Sequence, residues 1–255
     1  MGLFFSSDRF TRPGPGVRPD APRKKGVARL AEIMGRDMWN FFRAGFLAFL
    51  GCLPFIIGMF FAVETHALLF MLLAGIIGGL IAGPELSAMA DTVLRSLRDE
   101  PGYWWETYRR VWKRNARESL VPGMLTGLVL SVQIFTLFHM SVISAGIVTW
   151  VLLILSFVVT LGLESYIWPQ IALLDLPLFL GYLPRSLGAI AIKAVYWGAI
   201  LLFFPLTTII LPFTNFWLPM LPALLCIYQP LNKCFTIEST INKMREDELN
   251  AALAK

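Results

Sequence analysis

Six long apolar stretches constrain this chain more than any other feature of its sequence. A helix needs about 20 mostly apolar residues to cross the hydrocarbon core of a bilayer, and backbone groups in lipid must be hydrogen-bonded internally. No stretch shows the alternating pattern of a barrel strand. The sequence therefore predicts an all-α, polytopic membrane protein with six transmembrane helices, at Ala44–Val63, Ala67–Gly83, Leu120–Phe138, Gly146–Trp168, Ala189–Leu211 and Phe216–Leu231.

The composition agrees with this class of protein. Of the 255 residues, 56% are hydrophobic and 15% are charged, against about 45–50% and about 25% in soluble domains. These values exclude a disordered chain and disfavour a soluble globular domain. The formal net charge of +5 is expected to reflect membrane topology, and no nucleic acid is expected as a partner.

The basic residues predict the orientation of the spans. Nine Lys and Arg residues precede the first span, seven lie in Pro84–Ser119, two follow the fourth span at Arg185 and Lys193, and four lie in the C-terminal segment. The three opposite connections contain none. Because basic residues accumulate in cytoplasmic segments, we expect a multi-pass protein of the cytoplasmic membrane with both termini in the cytoplasm.

The segments that flank the spans have their own patterns. Residues 1–26 are rich in Pro, Gly and basic residues and predict a flexible cytoplasmic arm, residues 27–231 form the membrane domain, and residues 232–255 predict a cytoplasmic C-terminal helix. A helical continuation of the second span is expected after Pro84. An amphipathic helix should lead into the first span, because apolar residues recur there at three- and four-residue steps: Val27, Leu30, Met34, Met38 and Phe41.

The connection between spans two and three, Tyr103–Ser119, combines aromatic and basic residues. The pattern predicts an interfacial amphipathic helical segment, in contact with an anionic inner leaflet that attracts the basic side chains. A docking surface for a cytoplasmic protein is the alternative. The predicted interfacial anchors are Trp104, Trp105, Tyr108 and Trp112.

Several of these features occur together in one known family. They are Asn40-Phe41-Phe42 and Leu53-Pro54 in the first span, Gly83-Pro84 leading to Ala88 and Leu94, and the aromatic, basic stretch Tyr103–Arg117. Over residues 29–238 the chain resembles the YesL-like family of bacterial integral membrane proteins, whose molecular function is unknown. The resemblance implies a bacterial membrane protein with about six spans. It implies no catalytic residue, and some members are associated with carbohydrate-uptake systems.

Small residues in the second span predict close helix packing. Gly75, Gly79 and Gly83 recur every four residues, which allows another helix backbone to approach. Packing within this chain's own bundle is the favoured interpretation, and a homodimer face is the alternative.

Charged residues near the predicted cytoplasmic ends of the spans suggest a polar cluster. A charge within the bilayer is costly unless it faces the protein interior. We therefore expect Glu164 to pair with Arg43 or Lys193, with Glu85 nearby, so that the cluster comprises Arg43, Glu85, Glu164 and Lys193.

No sequence motif indicates catalysis. Nucleophile-elbow, zinc-protease and phosphate-loop patterns are absent, so we expect neither an enzyme nor a cofactor. Glu64, His66, His139 and Asn215 have no metal-ligand spacing and are expected to be ordinary interfacial residues.

The favoured function is a non-catalytic accessory or assembly component of a membrane transport system, with transporter subunits as partners. The alternative is a small transporter or channel in its own right.

Overall fold

The structure is a computed structural model that describes residues 24, 26–100, 102–140, 146–174, 191–196, 214, 216–239 and 243. Every regular element in the described part of the chain is helical, which confirms the predicted all-α class. The helices are α1 (Gly26–Thr65), α2 (Leu68–Arg98), α3 (Trp104–Phe138), α4 (Ile147–Leu174) and α5 (Trp217–Phe235).

Four helices, α1 to α4, are long and apolar enough to cross a membrane. They contain the first four predicted spans. The fifth predicted span lies mostly outside the described residues, which show helix only at 191–196. In α5 the apolar part, Trp217–Gln229, is shorter than a spanning helix, since it measures about 20 Å against a hydrocarbon core of about 30 Å.

Two of these helices extend well beyond their apolar windows. The 40 residues of α1 measure about 60 Å. The 35-residue α3 runs unbroken from Trp104 through Pro122 to Phe138. The segment predicted as a separate interfacial helix is therefore the first half of α3. The predicted continuation of the second span past Pro84 is present, and it ends at Arg98.

Successive helices run antiparallel. On α1, Gly51 lies against Glu85 of α2, and Gly58 lies against Ala74. A π-helical turn interrupts α2 at Ala74–Gly78, where Gly78 faces the backbone of Phe55. The numbering of the two helices runs in opposite directions along this contact, so the start of α1 and the end of α2 share one end of the bundle.

The largest apolar core lies towards that same end. Trp217 of α5 is almost fully buried and stacks on Phe41 of α1, with ring centroids 5.2 Å apart. The cluster continues through residues of α2 and α5, including Leu94, Leu221 and Leu224. In contrast, most side chains in the first half of α4 are exposed and apolar, which suits a helix face in lipid.

The first turns of α1 bury the predicted face only in part. Phe41 is buried, and Leu30 and Met34 pack against the core, as predicted, whereas Val27 and Met38 are exposed. Arg29 is buried although it was not part of that face. Arg29 turns inward because it is hydrogen-bonded to the end of α2. Both the apolar periodicity and the polar contacts of Arg29 therefore decide which face of α1 is buried.

Candidate functional site: a buried polar cluster

The site begins at the carboxylate of Glu85 on α2. Its Oε2 atom accepts a hydrogen bond of 2.5 Å from the hydroxyl of Tyr108 on α3, and Trp112 on α3 faces the same carboxylate. A side chain at position 51 of α1 would collide with Glu85, since a Cβ there would lie 2.6 Å from its Cγ. Gly51 therefore makes room for an acidic side chain inside the bundle.

Further polar groups approach this point from three other elements. Glu164 of α4 and Lys193 of the helical segment 191–196 attract each other electrostatically, and Lys193 is 5% exposed. No direct ion pair joins these two side chains, which the structure describes in full. Cys52 of α1 is buried within electrostatic range of both Glu85 and Glu164. Glu85 and Glu164 are half-buried, whereas Cys52, Tyr108 and Lys193 are buried. We call these five residues the buried polar cluster.

A row of polar side chains continues from Glu164 along α4. Ser156, Thr160 and Glu164 follow one another at four-residue steps and so lie on one helix face. Gln133 of α3 donates hydrogen bonds from Nε2 to Ser156 Oγ, at 2.6 Å, and to Thr160 Oγ1, at 2.7 Å. Its Oε1 atom is buried without a hydrogen-bond partner. We call Gln133, Ser156 and Thr160 the polar row.

Arg43, predicted as a member of the cluster, lies elsewhere. It is exposed, and its guanidinium sits over the rings of Trp39 and Trp104, at 5.5 and 5.7 Å from their centroids. Three of the four predicted residues, Glu85, Glu164 and Lys193, therefore belong to the buried polar cluster. The sequence interpretation did not single out Cys52, and it assigned Tyr108 as an interfacial anchor.

The four predicted interfacial aromatic residues divide into two groups. Tyr108 is buried, and Trp104 packs beside it with ring centroids 5.3 Å apart. Trp105 and Trp112 are exposed. The exposed aromatic rings share the first half of α3 with a set of exposed basic side chains, which we call the basic face: Arg109, Arg110, Lys113, Arg114 and Arg117.

A second polar assembly closes the end of the bundle where α1 starts and α2 ends. Arg29 and Arg36 of α1 both bind the carboxylate of Asp99, and they donate hydrogen bonds to the carbonyl oxygens of Leu97 and Ser96. The last carbonyls of a helix have no partner within it, so α1 caps α2. We call the end marked by these contacts the charged end.

The charged end also perturbs one acid. Burial raises the pKa of Asp99, but hydrogen bonds from Arg36 and Arg29 and their positive charges outweigh it, so the pKa lies below its usual range. Buried Asp91 adds an ion pair with Arg95, at 2.6 Å. The sequence interpretation did not anticipate the long-range pairs of Asp99 with Arg29 and Arg36.

The predicted packing glycines contact α3 of the same chain. Gly75 faces Gly127, Gly79 faces the backbone carbonyl of Gly123, and Gly83 faces that of Ser119. A Cβ on any of these three glycines would collide with that neighbouring helix. The face of small residues is thus used within one chain.

At the opposite end of the bundle the structure brings two histidines together. Nδ1 of His66 lies 2.6 Å from Nε2 of His139, while Glu64 is exposed and Asn215 lies outside the described residues. Over the part of the chain that is described, no group of three or more His, Cys, Asp or Glu side chains is arranged to hold a metal ion.

No family model, curated protein or solved structure matches this chain. The chemistry of the site therefore rests on its own residues. Ionisable groups buried within apolar helices are costly and mark functional positions by default. Two carboxylates, a phenol, a thiol and an amine can hold a proton or a small cation.

Proposed function

We propose that this protein is a non-catalytic accessory or assembly component of a membrane transport system, in the cytoplasmic membrane of a bacterium. The YesL-like resemblance suggests carbohydrate as the cargo of that system. In this proposal the chain has six spans, both termini and the charged end lie in the cytoplasm, and the first half of α3 lies at the inner membrane surface. This orientation is supported by the positions of the Lys and Arg residues, which are absent from the three opposite connections.

One observation carries the proposal: at the end of the bundle that presents the basic face, polar contacts join α1 to α2 and α3 to α4. Arg29 and Arg36 tie α1 to the end of α2, and Arg114 of α3 donates a hydrogen bond of 2.8 Å to the carbonyl of Ala172 on α4. A preorganised surface loses little entropy on binding. Exposed Arg side chains beside Trp105 and Trp112 are of the types enriched at protein interfaces.

Purification in mild detergent tests this function. Transporter subunits should be recovered with the tagged protein in stoichiometric amounts. Charge reversal on the basic face by Arg109→Glu, Arg110→Glu and Lys113→Glu should abolish their recovery. The matched control reverses Lys233 and Lys243, which are also exposed, and should leave recovery unchanged. Recovery of the protein alone, from cells that express the transporter, would contradict the proposal.

Anionic lipid is the other expected partner of the basic face. Each well-placed basic residue adds about 1 kcal/mol of attraction to an anionic leaflet, and Trp105 and Trp112 suit headgroup depth. If charge reversal lowers the recovery of transporter subunits and of bound anionic lipid equally, the basic face binds both partners. If charge reversal lowers only the recovery of lipid, the basic face does not dock a protein.

A second candidate function is supported by the polar row. A line of polar side chains runs from the buried polar cluster towards the end of the bundle that holds His66 and His139, through Glu164, Thr160 and Gln133. Such a line could form a path for a proton or a small solute. Flux into liposomes that contain only this protein tests it. Flux that is lost in Glu164→Gln and kept in Glu118→Gln, an exposed carboxylate of α3, would favour a transporter over an accessory component.

A further inference from the structure

The two histidines of the chain lie on different elements and meet at one point. His66 occupies the turn between α1 and α2, and His139 follows the last residue of α3. Their rings are nearly perpendicular, with centroids 4.8 Å apart, and Nδ1 of His66 faces Nε2 of His139 at 2.6 Å. The two histidines are 73 positions apart in the sequence. The packing of the helices therefore brings them together.

The protonation of His139 follows from its other contact. Its Nδ1 atom lies 2.8 Å from the carbonyl oxygen of Phe135, and a carbonyl oxygen only accepts. Nδ1 therefore carries the hydrogen, and Nε2 of the neutral ring presents a lone pair. This arrangement, with Nδ1–H bound to a backbone carbonyl, is the one that orients histidines that bind metals through Nε2.

The packing around the pair holds His139 and leaves His66 accessible. His139 is 7% exposed and stacks on the ring of Phe135, with centroids 4.0 Å apart. His66 is exposed and has a φ of 54°, a left-handed conformation that is uncommon for residues with a side chain. Strain of this kind persists where surrounding contacts impose it, and here it points the ring of His66 at His139.

We propose that His66 and His139 form a binding site for a divalent transition-metal ion such as Zn²⁺, Ni²⁺ or Cu²⁺. Imidazole nitrogen suits these three ions. His139 donates the lone pair of Nε2. His66 donates that of Nδ1, while its own hydrogen moves to Nε2. Water completes the coordination. The site is independent of the proposed accessory function.

The distances allow this with a small movement. Zn–N bonds of about 2.0–2.1 Å in tetrahedral geometry place two ligand nitrogens about 3.3 Å apart. The present separation of 2.6 Å must therefore grow by less than 1 Å. The exposed ring of His66 can rotate by that amount, whereas His139 stays fixed by Phe135. A bound ion would clamp the turn between α1 and α2 to the end of α3.

Metal binding by the full chain in detergent tests the proposal. The protein must carry no polyhistidine tag and is first stripped with a chelator. Titration calorimetry with Zn²⁺ and with Ni²⁺ should show one saturable site per chain. The midpoint of thermal unfolding should rise with metal concentration, because the ion binds only the folded state.

Variants distinguish the histidine pair from adventitious binding. His66→Ala should weaken Zn²⁺ binding at least tenfold, and the unfolding midpoint of the metal-free variant is measured alongside, because the substitution also removes the hydrogen bond to His139. His66→Cys should restore Zn²⁺ binding through a thiolate. Glu64→Ala, two residues away, should leave the affinity within about twofold. Unchanged affinity in His66→Ala, or no saturable binding by the unmodified chain, overturns the proposal and leaves only a hydrogen-bonded pair.

Discussion

Arg29 donates a hydrogen bond of 2.6 Å to Asp99, although 70 residues separate them in the chain. Their side chains are only 6% and 13% exposed. Asp99 adopts a φ of 59° immediately after α2, and its second carboxylate oxygen accepts a hydrogen bond from Arg36. This one carboxylate therefore holds the end of α2 against the start of α1.

Asp99→Asn should destabilise the protein markedly. The substitution removes the counter-charge that the two guanidinium groups share, although Arg29 keeps Glu32 and Arg36 keeps Asp37, so we expect a cost of about 1–3 kcal/mol. We expect a lower midpoint of thermal unfolding in detergent. Glu118→Gln, which removes an exposed carboxylate, should shift the midpoint little. Equal effects of the two substitutions would show that the pair contributes no more than a surface charge.

The same carboxylate predicts a dependence of stability on pH. The pKa of Asp99 is lower in the folded protein than its usual value, so the ionised form stabilises the fold at pH values above about 4. That contribution is lost as the pH falls through the folded-state pKa. The unfolding midpoint of the unmodified chain should therefore approach that of Asp99→Asn between about pH 5 and about pH 2. A constant difference over this range would contradict the assignment.

Two glycine substitutions should have opposite effects. Gly79→Ala places a methyl group against the carbonyl of Gly123, and such overpacking costs about 1–3 kcal/mol. Gly35→Ala meets no atom within 4 Å and should stabilise α1 by about 0.5–1 kcal/mol, because glycine weakens a helix interior. Unfolding midpoints measured side by side test both. A neutral Gly79→Ala would refute close packing of α2 on α3.

The buried polar cluster predicts a specific pattern of coupling. Glu164→Leu and Lys193→Leu should be non-additive by about 0.5–3 kcal/mol, since each removes the electrostatic partner of the other. Arg43→Leu should add to Glu164→Leu within about 0.5 kcal/mol, because Arg43 lies over Trp39 and Trp104. Double-mutant cycles on thermal unfolding measure the coupling of Glu164 to Lys193 and of Glu164 to Arg43. Coupling of Glu164 to Arg43 and not to Lys193 would contradict the described cluster.

The helices themselves were predictable, because a long apolar segment in lipid must hydrogen-bond its own backbone and therefore forms a helix. The inward position of Glu85 and Glu164 was predictable for the same reason, as charges avoid lipid. The sequence does contain one signal of the polar row, because Gln133 is the one amide side chain in the predicted third span, Leu120–Phe138.

The rotation of α1 was predictable only in part. Its apolar periodicity placed Phe41 correctly in the core, but Val27 and Met38 of the same predicted face are exposed. The inward turn of Arg29 to Asp99 was not contained in that periodicity. Tyr108 shares its four-residue spacing with Trp104 and was read as interfacial for that reason. Its hydrogen bond to Glu85 depends on how α2 and α3 pack, and local sequence does not contain that relation.

Cysteine accessibility in cells tests most directly whether this is a multi-pass membrane protein with its charged end in the cytoplasm. All three native cysteines are replaced by alanine, and single cysteines are introduced at four exposed positions. Thr65→Cys and Gly146→Cys should react with an impermeant thiol reagent in intact cells. Gly102→Cys and Ser239→Cys should react only after the membrane is permeabilised. The reverse pattern would invert the topology, and equal labelling of all four would contradict a membrane-spanning bundle.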